Sequence, residues 1–139
     1  MQLRVTSPYQ TTAEKFFGQL KAWQVDEVVD IRLHNTTQLD GFSKYPDIAY
    51  FCETICHAGY AHDTDFSPAP EPMKEYVHGE ISWEEFSSDY RRAMEAKHAA
   101  KLFLERYGRF ASVAVIGAAT KQRRSHSEVL AELVEAAQQ

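Results

Sequence analysis

Ser112-Val113-Ala114-Val115-Ile116 is apolar with hardly a break, and a strand written that way has to be covered on both faces. Two-sided burial is the property of a parallel sheet with helices above and below it. Three further runs predict strands: Leu3 to Thr6, Glu27 to Ile31 and Tyr60 to Asp63. Between the strands the apolar period changes to 3.6. Ala13, Phe16, Phe17 and Leu20 share one face of a first helix, and Ile48, Phe51, Cys52 and Ile55 one face of a second. The order strand, helix, strand, helix, strand, two helices, strand, helix predicts an α/β fold. Its mostly parallel four-stranded sheet carries helices on both faces, in three α/β/α layers, because parallel neighbours need crossovers. Strand order is not legible in one sequence.

Helix boundaries carry their own signals. Thr11 with Glu14, Ser82 with Glu85, and Ser125 with Glu128 fit the capping box, and Gly59 and Gly108 stand where a left-handed residue would end a helix. From Ser82, the residues Trp83, Phe86, Tyr90 and Met94 hold one face until the phase slips near Ala96 to His98, which predicts two consecutive helices or one kinked helix. With 139 residues, 44% hydrophobic and 25% charged, the chain has the size and make-up of one globular domain, residues 1–139.

Net charge of −5 argues against a whole-surface grip on nucleic acid, so any phosphate contact has to be local. No charged leader precedes the apolar alternation of Met1 to Thr6, and the longest apolar stretch, Phe110 to Ala119, is too short for a membrane span. The expectation is a cytoplasmic protein without a membrane segment, with Cys52 and Cys56 as thiols.

A parallel sheet gathers its loops at the carboxyl ends of its strands, and that end is where such folds place ligands. Here it collects Ser7 to Gln10, Arg32 to Tyr45, Thr64 to Pro72 and Gly117 to Arg124. The last of these leads through Lys121-Gln122-Arg123-Arg124 into a helix start at Ser125, so cations and a positive helix end come together. Arg123 and Arg124 are candidates for bidentate anion contacts, with Ser125 as cap or ligand contact. Arg32 leaves the second strand with Asp30 two residues back on the same side. It can be an anion clamp, a structural ion pair, or both, with Asp30 orienting it. His34, Asn35 and Thr36 from the second loop and His62 from the third complete the candidate ligand contacts. His126 and Asp30 are the candidates for proton transfer. His62 with Asp63 and Asp65 forms a carboxylate and imidazole set, yet no metal-ligand spacing and no cofactor motif is present, so neither metal nor cofactor is expected. Cys52 lies on an apolar face and suits a small buried hydrophobe.

Asp30-Ile31-Arg32-Leu33-His34-Asn35-Thr36-Thr37-Gln38-Leu39 with Gly41-Phe42, then Tyr60-Ala61-His62 with Asp65 and Pro68, then Gly79 to Trp83, resemble a bacterial family known as domain of unknown function 488. The resemblance runs along nearly the whole chain. It implies a small α/β fold, an aspartate-hydrophobic-arginine element after the second strand, and a late cysteine-alanine-glutamate turn followed by cysteine-histidine-arginine-serine. This chain has Gly117-Ala118-Ala119 and Ser125-His126-Ser127-Glu128 there, keeping only the histidine of the thiol and charged positions. No activity comes with the family. Two function classes follow: a protein binding a phosphorylated small molecule or nucleic-acid end, with or without chemistry at His126, and an inactive interaction module. The module would use a surface such as the helix from Ser82 to Met94. A homodimer is compatible with either.

Overall fold

The computed structural model describes residues 1–139. Strands β1 (Gln2–Thr6), β2 (Glu27–Asp30), β3 (Gly59–His62) and β4 (Ser112–Ile116) form one sheet in the order β1-β4-β2-β3, every pair parallel. The sequence places these strands to within a residue at each end. β4, fully buried along its length, is central, between β1 and β2. Ile116 aligns with Asp30 and with Thr6, so the ends of β1, β4 and β2 lie level.

Two helical layers enclose the sheet. On one face α1 (Ala13–Ala22) and α2 (Asp47–Cys56) pack Phe16, Phe17, Leu20, Ile48 and Cys52 onto Val28, Ala114 and Ile116. On the other, α4 (Trp83–Ala96), α5 (Ala99–Tyr107) and α6 (His126–Ala137) pack Tyr90, Met94, Phe103, Leu130 and Val134 onto Val29, Val113 and Val115. The alternation of Val28 and Val29 between two cores is the period of a strand expressed in three layers. α3 (Pro70–Val77) lies outside and packs on α4.

Several boundaries differ from expectation. Thr12, not Thr11, caps α1, accepting from the Lys15 amide at 3.1 Å. His57 supplies the left-handed residue that ends α2 (φ 54°), and Gly59 instead opens β3. At Gly59 the Glu27 carboxylate occupies the space a Cβ would take. Gly108 is right-handed, and the break between α4 and α5 falls on His98 in the left-handed region. α3 was hidden by its prolines: Pro70 and Pro72 sit in the first turn, where a missing N–H costs nothing.

Candidate functional site

Three loops at the carboxyl end of the sheet are held together by one buried polar network. Asp30, the last residue of β2, is wholly buried, and its carboxylate accepts from Arg32 Nε at 2.9 Å, from an Arg32 terminal nitrogen at 2.7 Å and from the Tyr60 hydroxyl at 2.5 Å. Asn35 Nδ2 donates in turn to the Tyr60 hydroxyl at 2.8 Å. Arg32 is 2% exposed. Its remaining N–H groups go to the Tyr9 hydroxyl at 3.0 Å, to Ser43 Oγ at 2.9 Å and to the Ser43 carbonyl at 2.8 Å. Tyr9 passes the chain on by donating to Asp40 at 2.9 Å. All five guanidinium donors are therefore consumed inside the protein, and none is left for a ligand. Burial works against the Arg32 charge, but the Asp30 carboxylate outweighs it and holds the guanidinium pKa above its usual value. Burial, reinforced by the neighbouring Asp30 charge, pushes the Tyr60 phenol well up, so Tyr60 remains a donor. Of the roles open to Arg32 in the sequence, the geometry shows the internal ion pair, with Asp30 orienting the guanidinium.

Two histidines converge on the next two carbonyls. His126 Nε2 donates to the Ile31 carbonyl at 2.9 Å, and His62 Nε2 lies 2.7 Å from the Arg32 carbonyl. Ser67 Oγ reaches both carbonyls, at 2.9 and 3.2 Å. With Nε2 protonated, His126 Nδ1 is the acceptor facing Ser125 Oγ, 3.3 Å away. The imidazole is 1% exposed and stacks edge-on against Tyr90. Burial pushes its pKa down to about 4, so it is neutral near pH 7. Desolvation is the main cause of that neutrality. Buried, and with both ring nitrogens engaged within the chain, His126 has no face toward a substrate, and Asp30 beneath Arg32 is equally enclosed.

The loop from β4 to α6 is built differently. Ser125 caps α6, accepting from Ser127 N at 3.4 Å and from Ala118 N at 3.0 Å. Gly117 makes this possible, since a Cβ there would fall on the Ser125 and Ser127 hydroxyls. The expected capping box does not form: Ser125 Oγ accepts from the Ser127 amide, the Glu128 amide bonds the Ser125 carbonyl, and the Glu128 carboxylate pairs with Arg124 instead of turning back to the Ser125 amide. Arg124 also lies over the Trp83 ring at 4.7 Å, and the Tyr76 hydroxyl donates to its carbonyl at 2.9 Å. Lys121 and Arg123 enter no ion pair. The amides of Arg124, Ser125 and His126 have no acceptor in the chain. Ser7 and Gln10 tie the β1 loop to this one through the Ala119 carbonyl at 2.6 Å and the Lys121 amide at 2.6 Å.

The sequence-derived residues thus divide. Asp30, Arg32 and Asn35 share one network; His62 and His126 meet on adjacent carbonyls; Arg123, Arg124 and Ser125 share the basic loop. His34 and Thr36 are exposed on the crossover and join neither group. Tyr9, Asp40, Ser43, Tyr60 and Ser67 belong to the network without having been expected there. The only signals for them were a position in the right loops and, for Tyr60, a place on a neighbouring strand. Asp63 and Asp65 bind Arg106 at 2.8 to 2.9 Å, and no group of three or more His, Cys, Asp or Glu side chains is placed to hold a metal. The face of α4 suggested for a partner is spent inside: Phe86, Tyr90 and Met94 are buried. Cys52 is buried, its thiol pushed up to about 12 by desolvation, as suits a small hydrophobe.

These features define a parallel three-layer α/β protein whose strand ends are locked by an internal aspartate-arginine network, with one basic loop left open. Residues 12–134 match the family described as Domain of unknown function DUF488, and the chain belongs to that family. No curated protein and no solved structure matches the chain significantly. No helix is long and apolar enough to cross a membrane.

Proposed function

We propose that the protein binds a small anionic ligand, one presenting a terminal phosphate such as a nucleotide or a nucleic-acid end, at the loop between β4 and α6. One observation carries this reading: two unpaired cations, Lys121 and Arg123, stand beside three amides without acceptors at the positive end of a 12-residue helix. Backbone donors and dipole together favour an oxyanion at such a terminus, and Arg123 adds a planar fork while Lys121 adds a point charge. Arg32 and Asp30 serve as positioning residues, fixing the loops by their internal bonds. The reading is one of binding without chemistry, since His126 and Asp30 are enclosed. A cytoplasmic setting, where phosphorylated metabolites abound, suits it, as do the two unpaired cysteines.

The test is an NMR titration of the amides of residues 117–126 with inorganic phosphate and, separately, a nucleoside monophosphate. Expected are saturable shifts confined to this loop that weaken as salt rises, and about a tenfold loss of affinity in Arg123→Ala, the scale of one charged hydrogen-bonding partner. Amides that stay unmoved by both probes overturn the proposal.

A further inference from the structure

An open groove runs between α1 and α2 on the face away from α4, α5 and α6, floored by Phe17, Phe51 and Ile55. Glu14 and Lys21 stand on its rim, and neither enters an ion pair within the chain. Between them on the same helical stripe is Gly18, where a Cβ would meet nothing within 4 Å. Glycine inside a helix is unfavourable relative to alanine, and no neighbour in this chain demands it. What it provides is room for a second backbone to approach.

We infer that this groove pairs two copies of the chain, α1 lying antiparallel against the partner's α1 about a two-fold axis beside Gly18. The charge pattern selects that occupant. A two-fold rotation centred between Phe17 and Gly18 carries position 14 onto position 21, so Glu14 faces the partner's Lys21 and Lys21 faces the partner's Glu14. One self-complementary stripe thereby makes two ion pairs, as an isologous interface requires. The apolar floor, with Ile55 38% exposed, gains cover from the partner's helix. A contact built on 10-residue helices is small, so the pairing is reversible and concentration-dependent. The groove lies apart from the basic loop, and this inference is independent of the ligand proposed there.

Sedimentation analysis of the whole chain from about 1 μM to about 1 mM tests it, a range spanning weak association. A reversible monomer to dimer equilibrium is expected. Lys21→Glu or Glu14→Lys alone sets like charges across the axis and raises the dissociation constant by about tenfold or more. The combined Glu14→Lys/Lys21→Glu protein restores the parental constant, which also shows that neither change acts by unfolding. Gly18→Leu abolishes pairing while leaving the circular dichroism spectrum of the monomer unchanged. A monomer throughout the range, which would leave the groove to an unlike partner, overturns the inference. So does a dimer indifferent to the single reversals, or one not restored by the double.

Discussion

Strands β2 and β3 each lead into an aspartate that holds an arginine and a tyrosine. Asp30 takes Arg32 and Tyr60; Asp63, just after β3, takes Arg106 at 2.8 and 2.9 Å and the Tyr107 hydroxyl at 2.6 Å. The chemistry is the same and the surroundings are not. Arg32 is 2% exposed whereas Arg106 is 37% exposed and shares itself with the exposed Asp65. Two ions sealed from water depend wholly on each other, while a half-exposed arginine can fall back on solvent. Residue types at a strand end therefore do not tell how much the fold depends on them. Burial does.

The largest effect is expected at Asp30. Asp30→Ala strands a guanidinium in the interior and should cost about 3–5 kcal/mol in urea unfolding. Replacing both partners, as Asp30→Leu/Arg32→Met, should recover much of that loss, because the stranded charge goes too. A double variant no more stable than the single would mean that the surrounding hydroxyls, not the ion pair, dominate the site.

Next comes a pH effect at His126, which bonds the Ile31 carbonyl between the two members of the buried pair. The unfolded chain takes up a proton near imidazole's usual pKa and the folded one only near 4. Acid therefore favours unfolding: the contribution is complete above about pH 6.5 and lost as pH falls toward about 4, some 3 kcal/mol across the window. Subtracting the pH profile of His126→Gln from that of the parent isolates it, and a flat difference would refute the burial account.

Removing the two tyrosine hydroxyls sharpens the contrast. Tyr60→Phe withdraws a donor from the buried Asp30 and an acceptor from Asn35, and about 1–3 kcal/mol is expected; Tyr107→Phe should cost less, since Asp63 keeps Arg106 and the Asp65 amide. Smallest is Arg106→Ala, about 1 kcal/mol or less and diminished by salt. Equal losses in the two phenylalanine variants would break the comparison.

How much of this the sequence discloses depends on where each interaction gets its partner. The strands are legible because their apolar pattern is local, and Asp30 is conspicuous because a carboxylate in a strand needs compensation. The arginine two residues on supplies it from the same short segment. Tyr9 and Tyr60 come from another loop and another strand, and Ser43 from farther along the same loop, so their bonds to Arg32 and Asp30 leave no local trace. For His126 the position was legible and the enclosure was not, since Tyr90 and the Ile31 carbonyl reach it only through the fold. The prolines of α3 have the same character: only the helix behind them shows that Pro70 and Pro72 begin a turn.

The placement of β4 bears on how the chain reaches this state. β1 has no sheet partner except β4, and Gln2 pairs with Ser112. Until β4 joins the sheet, β1 has no ladder to enter, and β2 can pair only with β3. On a ribosome, β1 must wait for β4, more than a hundred residues later, before it has a strand to pair with. Contacts of such wide separation slow folding, and they make the last strand the step that commits the protein to its structure.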